Sequence, residues 1–295
     1  MVKGYTHSHK GRTFAPSYNL HTDNLQNMFA KDLFKDKVAF VTGGRSGIGY
    51  AIAKMFLQLG AKVMISSRKE KPLAQAAAEL AEFGDCAYQP CDIRQTEQIQ
   101  AVAKTIKQKW GRLDILINNA GGQFPTLAKL TNDKGWNAVI NNNLNGTFYV
   151  TREMGNAFFI PQKEGVIINI IADIHRGFPG MIHTGAARAG VENLTKTLAL
   201  EWSEYNIRIN AIAPGTIESS GLKTYPTQVQ EMLEEGMKAI PMQRYGTVED
   251  IANSVSFLAS PLAAYITGIT LYVDGAAHLN GDKLGFTRIL KSFMG

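Results

Sequence analysis

Short apolar segments alternate along the chain with longer segments in which apolar residues recur every three or four positions. The apolar segments predict strands, and the periodic segments predict amphipathic helices between them. The predicted strands are 38–41, 62–67, 86–90, 114–117, 166–171, 207–211 and 269–273, and the predicted helices are 47–59, 71–82, 96–110, 133–159, 183–205 and 248–258. Strands that alternate with helices predict parallel βαβ units, and therefore an α/β fold with one seven-stranded, parallel, doubly wound sheet.

The alternation begins at residue 33 and continues to 276 without a linker or an internal repeat, which predicts a single domain within the 295 residues. Polar segments flank it: an N-terminal extension at 1–32, for which disorder is the alternative, and a C-terminal tail at 277–295. The stretch 218–243 has no firm period and is predicted to be a mobile lid over the substrate. Lys223, Lys238 and Arg244 could meet anionic phosphates there, although a solvated surface explains them as well.

Composition narrows the class of protein only slightly. Hydrophobic residues make up 45% and charged residues 19%, as in ordinary soluble proteins. The net charge of +6 favours an anionic partner, but Lys and Arg are spread evenly, so we expect no nucleic acid. The chain has no apolar run of membrane-spanning length, no signal peptide and no peroxisomal C-terminus, which predicts a cytoplasmic protein without a membrane partner. Cys86 and Cys91 lack ligand or disulfide spacing, so we expect no metal.

A glycine-rich turn follows the first predicted strand and leads into a helix. Its spacing is T-G-x-x-x-G-x-G, beginning at Thr42. Strand, turn and helix together present backbone N–H groups and the positive end of a helix to a phosphate. The alternative is a tight turn that simply favours glycine. The residues of this turn predicted to bind a dinucleotide are Gly43, Arg45, Ser46, Gly47, Ile48 and Gly49.

The end of the second predicted strand bears on the choice of cofactor. An acidic residue there would accept hydrogen bonds from the adenosine ribose, whereas Arg accommodates a 2′-phosphate. This chain has Ser67 and Arg68, no acidic residue before Glu70, and a further cation at Arg45. The pattern predicts NADP(H) rather than NAD(H), with two solvated basic side chains as the alternative.

Further motifs follow in order: Asp92 after the third strand, N-N-A-G ending at Gly121, Asn143 in N-L-N-G-T-F, Pro214-Gly215, and V-D-G ending at Gly275. With this set the chain resembles the short-chain dehydrogenase/reductase family. The resemblance implies a three-layer Rossmann fold, a nicotinamide cofactor, a homotetramer, and a water ordered by Asn143. The cofactor contacts that it implies are Asp92, Ile93, Asn119, Ala120, Gly121, Arg188, Pro214, Gly215, Thr216 and Ile217.

The chain departs from the family at the catalytic positions. Most members carry Ser after the fifth strand and Tyr-x-x-x-Lys on the next helix, where Tyr acts as acid or base. Here Ala172, Thr184 and Arg188 stand at those three positions. A second register, Glu192-x-x-x-Lys196, also lacks the Tyr.

Thr184 and Arg188, four residues apart, share one helix face, and we predict that both are catalytic together with Asn143 and His175. A hydroxyl from Thr184, assisted by His183, His175 or a water on Asn143, could donate a hydrogen bond to a developing oxyanion.

The string G-F-P-G-M-I-H-T-G-A-A-R-A-G-V, from Gly177, resembles the peroxisomal trans-2-enoyl-CoA reductases of this family. The related 2,4-dienoyl-CoA reductases resemble this chain in K-D-K-V-A-F-V-T-G-G, from Lys35. That resemblance implies NADPH-dependent reduction of the C=C bond of a trans-2-enoyl-CoA, with an acyl-CoA thioester as the small-molecule partner. Two alternatives stay open: a carbonyl or alcohol dehydrogenase with an atypical site, and a non-catalytic NADPH-binding protein.

Overall fold

A computed structural model describes residues 29–218 and 236–279. One parallel sheet contains seven strands in the order β3-β2-β1-β4-β5-β6-β7, which confirms the predicted doubly wound α/β architecture. Nearly all of the predicted extension, most of the lid and most of the tail lie outside the described residues. The strands are β1 (Val38–Thr42), β2 (Lys62–Ser67), β3 (Cys86–Pro90), β4 (Ile115–Asn118), β5 (Gly165–Ile170), β6 (Ile207–Pro214) and β7 (Thr270–Val273).

Helices connect the strands and cover both faces of the sheet. None of the helices in the described ranges is long and apolar enough to cross a membrane. Short 3₁₀ turns lie at Ala128–Leu130, Ser203–Tyr205, Pro261–Ala263 and Ala277–Leu279. The α-helices are α1 (Gly47–Gln58), α2 (Glu70–Leu80), α3 (Thr96–Trp110), α4 (Asp133–Ile140), α5 (Gly146–Met154), α6 (Ile160–Gln162), α7 (Ile182–Glu201) and α8 (Val248–Ala259).

The alternation of side chains along β1 explains the three layers. Ala39 and Val41 face one way and pack in a cluster with α1 and α8. Val38 and Phe40 face the other way and pack with α3 and α5. All five residues of the strand are buried, because helices cover both faces of a parallel sheet. This double burial is the reason that the strand reads as a continuous apolar run.

The predicted helix over 133–159 is helical but not regular. A π-helical turn at Asn141–Asn145 separates α4 from α5, and a second one at Gly155–Phe159 precedes α6. A π turn inserts an extra residue and changes the direction in which the side chains point. Asn143 lies in the first π turn, and its side chain is completely buried.

The site is organised by the carboxyl ends of β1 and β4, which are neighbours in the sheet. Connections leave these two strands in opposite directions, and such a switch point opens a crevice for ligands. The hydroxyl of Thr42 ties the two ends together. It donates to the carbonyl oxygen of Ile117 at 3.2 Å and accepts the backbone N–H groups of Asn119 and Ala120, both at 3.0 Å.

Candidate cofactor and substrate site

Two adjoining cavities, of about 450 and 640 Å³, lie at the carboxyl edge of the sheet. Asn119 and Gly121 line both cavities, which therefore form one continuous site. Of the predicted cofactor residues, Gly47 and Gly49 line neither. The smaller cavity is lined by Gly43, Arg45, Ser46, Ser67, Arg68, Asp92, Ile93 and Ala120, and the larger by Ile48, Arg188, Pro214, Gly215, Thr216 and Ile217.

The glycine turn packs tightly against the end of β4. Gly43 has a φ of 68°, and a Cβ on it would come 2.8 Å from Nδ2 of Asn119. A Cβ on Gly49 would overlap both that nitrogen and the carbonyl oxygen of Gly43. The amide of Asn119 also donates to the carbonyl oxygen of Thr42 at 3.0 Å. Only glycine fits at these two positions, so the turn keeps a backbone that a pyrophosphate can approach.

Two buried hydroxyls and two exposed guanidiniums line the smaller cavity. The hydroxyls of Ser66 and Ser67 are buried and have no hydrogen-bond partner among the described residues. Arg45 and Arg68 are exposed at the same cavity, and neither guanidinium pairs with a residue of the described ranges. Two hydroxyls and two guanidiniums are a donor set that suits a phosphate, so these residues fit the 2′-phosphate of NADP(H).

Asp92 lines the smaller cavity as an ionised group. Nε of Arg94 donates to its Oδ1 at 2.8 Å, and the backbone N–H of Arg94 donates to the same oxygen at 3.1 Å. The side-chain hydrogen bond from Arg94 is the main cause that lowers the pKa of Asp92 below its ordinary value. The carboxylate is therefore available as a hydrogen-bond acceptor at this cavity.

Arg188 is the most unusual residue of the larger cavity. Its side chain is 8% exposed, and it packs against Gly121 so closely that a Cβ there would overlap the guanidinium. It forms no hydrogen bond or ion pair with any described residue. Burial lowers the pKa of Arg188 to about 10, which leaves it charged at neutral pH. A buried cation without a carboxylate is costly, and this one faces a cavity in which an acceptor ligand could satisfy it.

The other predicted catalytic residues are not all brought to the cavity. Asn143 lines neither cavity. Its amide pairs with the backbone N–H and the backbone carbonyl of Gly122, which lines the larger cavity. Holding a water would have to use the remaining lone pair or N–H of that amide. His175 is exposed and lines neither cavity. Its ring centroid lies 6.1 Å from that of Tyr272 and 5.9 Å from that of His278.

Thr184 shares a helix face with Arg188, as the spacing predicts, but it is completely buried and does not line the cavity. Its hydroxyl lies 3.2 Å from Nδ1 of His183. The backbone N–H of Thr184 donates to the same nitrogen at 2.8 Å, so the neutral ring carries its hydrogen on Nε2. That Nε2 is buried without a partner in the described part of the chain. Thr184 therefore contacts His183 rather than a cavity, and His183 itself lines neither cavity.

Several residues of the site were not found from the sequence. Ser66 and Lys69 line the smaller cavity, and Gln123, Phe178 and Met181 line the larger one.

Asp173 also lines the larger cavity, where it is the only carboxylate among the described lining residues. Its backbone N–H donates to the carbonyl oxygen of Pro214 at 3.2 Å. Its place just after β5, at the carboxyl edge of the sheet, was a signal that could have identified it.

Metal and thiol chemistry find no support in the described residues. They contain no cluster of three or more His, Cys, Asp or Glu side chains that could hold a metal ion. Cys86 and Cys91 are free, and burial raises the pKa of both thiols to about 12. Both are therefore neutral thiols rather than nucleophilic thiolates.

Sequence comparisons find a family model and relatives that match most of this chain. Residues 43–278 match the family model described as enoyl-(acyl carrier protein) reductase. The chain is 40% identical over 258 residues to a peroxisomal 2,4-dienoyl-CoA reductase, (3E)-enoyl-CoA-producing, of Pongo abelii, over 86% of this chain and 88% of that relative. It is 39% identical over 247 residues to a probable 2,4-dienoyl-CoA reductase, (2E)-enoyl-CoA-producing, of Bacillus subtilis, over 83% of this chain and 97% of that relative.

A solved structure shows the same fold. The citronellol catabolism dehydrogenase AtuB of Pseudomonas aeruginosa superposes with a TM-score of 0.76 at 37% identity, over 85% of this chain and 98% of that one. The family model and these relatives each cover most of the chain. Gly43 to Gly49 of the glycine turn and the N-N-A-G and Pro-Gly motifs lie within the residues that the family model matches. The chain therefore belongs to the short-chain dehydrogenase/reductase family.

Proposed function

We propose that this protein is an NADPH-dependent reductase that saturates the C=C bond of an enoyl-CoA-type thioester. The observation that carries the proposal is Arg188, a buried cation that has no partner among the described residues and faces the larger cavity. Conjugate reduction places negative charge on the thioester oxygen, and a fixed cation stabilises that charge without giving up a proton. The named activities of the two dienoyl-CoA reductase relatives support this substrate class.

The residues of the smaller cavity would hold the adenosine end of the cofactor. The donors for a 2′-phosphate would be Ser67, Arg45 and Arg68, and the backbone after Gly43 would hold the pyrophosphate. The loop that begins at Pro214 would border the nicotinamide in the larger cavity. When bound there, NADPH would supply the hydride that the substrate β-carbon accepts.

Three residues of the protein have the other roles in this proposal: binding the thioester oxygen, transferring a proton and positioning a neighbouring side chain. Arg188 holds the thioester oxygen, because it is the cation of the larger cavity. Asp173 takes a proton from solvent and passes it, through water, to the substrate α-carbon, which completes the saturation of the C=C bond. Thr184 acts indirectly, because its hydroxyl holds the His183 ring. That ring packs edge to face on Phe124, next in sequence to the cavity-lining Gln123, so Thr184 is a positioning residue.

The decisive experiment measures NADPH absorbance with a medium-chain trans-2-enoyl-CoA and with a 2,4-dienoyl-CoA. NADH, a 3-oxoacyl thioester and simple ketones serve as controls. Consumption of NADPH with the unsaturated thioesters alone would support the proposal. Activity on ketones alone would select a carbonyl or alcohol dehydrogenase. Tight NADPH binding without turnover of any of these substrates would select a non-catalytic binding protein.

We also propose a homotetramer. The outer edge of β7 is unpaired within the described sheet, and Leu262 and Tyr265 are strongly exposed just before it. Unpaired strand edges and exposed apolar side chains are usual sites of subunit contact. Light scattering should report four times the mass of one chain, and a monomer would contradict this. The cytoplasmic location stays a prediction from the sequence.

A further inference from the structure

A mainly apolar groove of about 340 Å³ lies beside the larger cavity. Its walls are formed by Ala128, Thr131, Asp133, Trp136 and Ile182. Three apolar side chains at or next to it are unusually exposed: Leu127 at 55%, Leu130 at 68% and Ile182 at 46%. A concentration of exposed apolar groups around a groove marks a place where an apolar ligand or partner binds.

The groove continues the wall of the larger cavity. Two segments, 121–131 and 178–182, run side by side, and the backbone N–H of Thr126 donates to the carbonyl oxygen of Gly180 at 2.7 Å. Thr126 also forms a parallel bridge with Met181. The inner ends of both segments line the larger cavity, and their outer ends line the groove. The residues that line the cavity and those that line the groove therefore follow one another along the same two segments.

We propose that this groove binds the aliphatic acyl chain of the substrate, and that the protein favours chains long enough to leave the larger cavity. The inference rests on the proposed function, because it takes the thioester to lie beside Arg188. The carboxylate of Asp133 disfavours the anionic nucleotide of CoA in the groove, whereas Trp136 and Ile182 suit a hydrocarbon. Each methylene that becomes buried should raise kcat/KM roughly fourfold, by the hydrophobic transfer free energy.

The first test fills the groove. In the wild-type protein, kcat/KM should rise along a series of trans-2-enoyl-CoA thioesters from four to twelve carbons. Ala128→Phe should remove most of that rise and leave the four-carbon substrate nearly unaffected. Lys129→Phe is the matched control, because it places the same phenyl ring on the same 3₁₀ turn at a residue that does not line the groove.

The second test does not need turnover. Trp136 lines the groove and is one of three tryptophans in the chain. Saturated decanoyl-CoA should change the intrinsic fluorescence, free CoA should not, and Trp136→Phe should remove the change. A fluorescence change without NADPH consumption would leave the groove assignment standing while the reductase proposal fails.

The opposite result would overturn the inference alone. In that result the protein reduces enoyl thioesters, but Ala128→Phe leaves the dependence of kcat/KM on chain length unchanged. Decanoyl-CoA also causes no change in the fluorescence of Trp136. In that case another part of the chain or a second copy covers the groove.

Discussion

The side-chain amide of Asn143 pairs with a single backbone residue, Gly122. Oδ1 accepts the N–H of Gly122 at 3.0 Å, and Nδ2 donates to its carbonyl oxygen at 2.9 Å. The pair fixes the segment against which the guanidinium of Arg188 packs. It exists because the π turn at Asn141–Asn145 directs this side chain towards the end of β4 rather than along a regular helix face.

Replacing Asn143 by Asp should therefore damage both stability and activity. A carboxylate at this position keeps an acceptor for the N–H of Gly122 but places negative charge against its carbonyl oxygen. We expect the free energy of unfolding to fall by about 1–3 kcal/mol, because a buried polar group loses its partner, and kcat/KM to fall at least roughly tenfold. Urea denaturation and NADPH consumption measure the two effects.

Asn145→Asp is the matched control for this change. Asn145 lies in the same π turn, but its amide pairs with Oδ1 of Asn141 at the surface. We expect its unfolding free energy to change by less than about 0.5 kcal/mol. Equal losses of unfolding free energy in the two variants would show that the π turn tolerates no acidic side chain. The hydrogen bonds between Asn143 and Gly122 would then not explain the effect.

Arg188→Met should separate stability from function. The substitution removes a buried guanidinium that has no partner in the described ranges and keeps a similar apolar stem, so the free energy of unfolding should stay the same or rise. Turnover of an enoyl thioester should fall by roughly 100-fold or more, the usual cost of removing an oxyanion donor. A large loss of stability would mean that Arg188 is structural.

The pH dependence of Arg188→Lys should differ from that of the wild type. Arg188 has a pKa of about 10, so it stays charged, and it should add no alkaline limb to the kcat profile between pH 6 and about 9. Burial lowers the pKa of a Lys in the same way, from about 10.4. The variant should then lose activity as the pH rises, because the ammonium group of the new Lys loses its proton at a lower pH than the guanidinium of Arg188 does. A profile for the variant that matches the wild type would contradict this.

Arg68→Asp should change the preference between the two cofactors. It replaces a cation at the smaller cavity with an acid that accepts hydrogen bonds from ribose hydroxyls and repels a 2′-phosphate. NADPH binding should weaken by roughly 10- to 100-fold, the range for a lost charge-assisted hydrogen bond, and NADH binding should change little. Calorimetric titration measures both.

The control for Arg68→Asp is Lys71→Asp. Lys71 is an exposed cation three residues away that does not line the cavity. It should leave the ratio of the two affinities unchanged. Equal losses for NADPH and NADH with Arg68→Asp would reject the 2′-phosphate assignment.

The five inner strands of the sheet could be predicted from the sequence because they are almost completely buried and therefore appear as short apolar runs. The edge strands β3 and β7 are only partly buried. The glycine turn could be predicted as well, since Gly43 and Gly49 have no room for a Cβ, and that requirement shows directly as residue type. The same logic placed Arg68 at the end of β2, where the carboxyl ends of strands meet ligands.

Other parts of the site depend on long-range packing that spacing does not encode. Periodicity places Thr184 and Arg188 on one helix face, but it does not say that His183 covers Thr184. The pair between Asn143 and Gly122 depends on a π turn that regular helical periodicity does not predict. The groove beside Trp136 combines residues of two segments that meet where Thr126 pairs with Gly180, and those two residues lie 54 positions apart.

Asp173→Asn tests the proton path. The amide keeps the shape of the side chain and an oxygen for the backbone N–H of His175, which now donates to Oδ1 at 3.2 Å. If the carboxylate passes a proton to the substrate α-carbon, kcat should fall by roughly 100-fold, within the usual range for a general acid. KM should change little, and the solvent deuterium isotope effect on kcat should increase. Unchanged kcat would assign the proton to bulk water.

Thr184→Val removes one hydroxyl from a completely buried position. The hydroxyl lies 3.2 Å from Nδ1 of His183, so its loss leaves the ring with one hydrogen bond, from the backbone N–H of Thr184, and its edge-to-face contact with Phe124. We expect turnover to fall by roughly tenfold, in line with one lost buried hydrogen bond, without a change in NADPH affinity.

Thr184→Ser distinguishes this positioning role from simple packing, because it restores the hydroxyl but not the methyl group. If the hydroxyl orients His183, Ser should recover most of the turnover although it leaves a small cavity that lowers the free energy of unfolding. If the methyl group matters instead, Ser should be the weaker variant and Val should resemble the wild type. Unchanged turnover in Thr184→Val would remove Thr184 from the mechanism and leave Arg188 as the residue that holds the thioester oxygen.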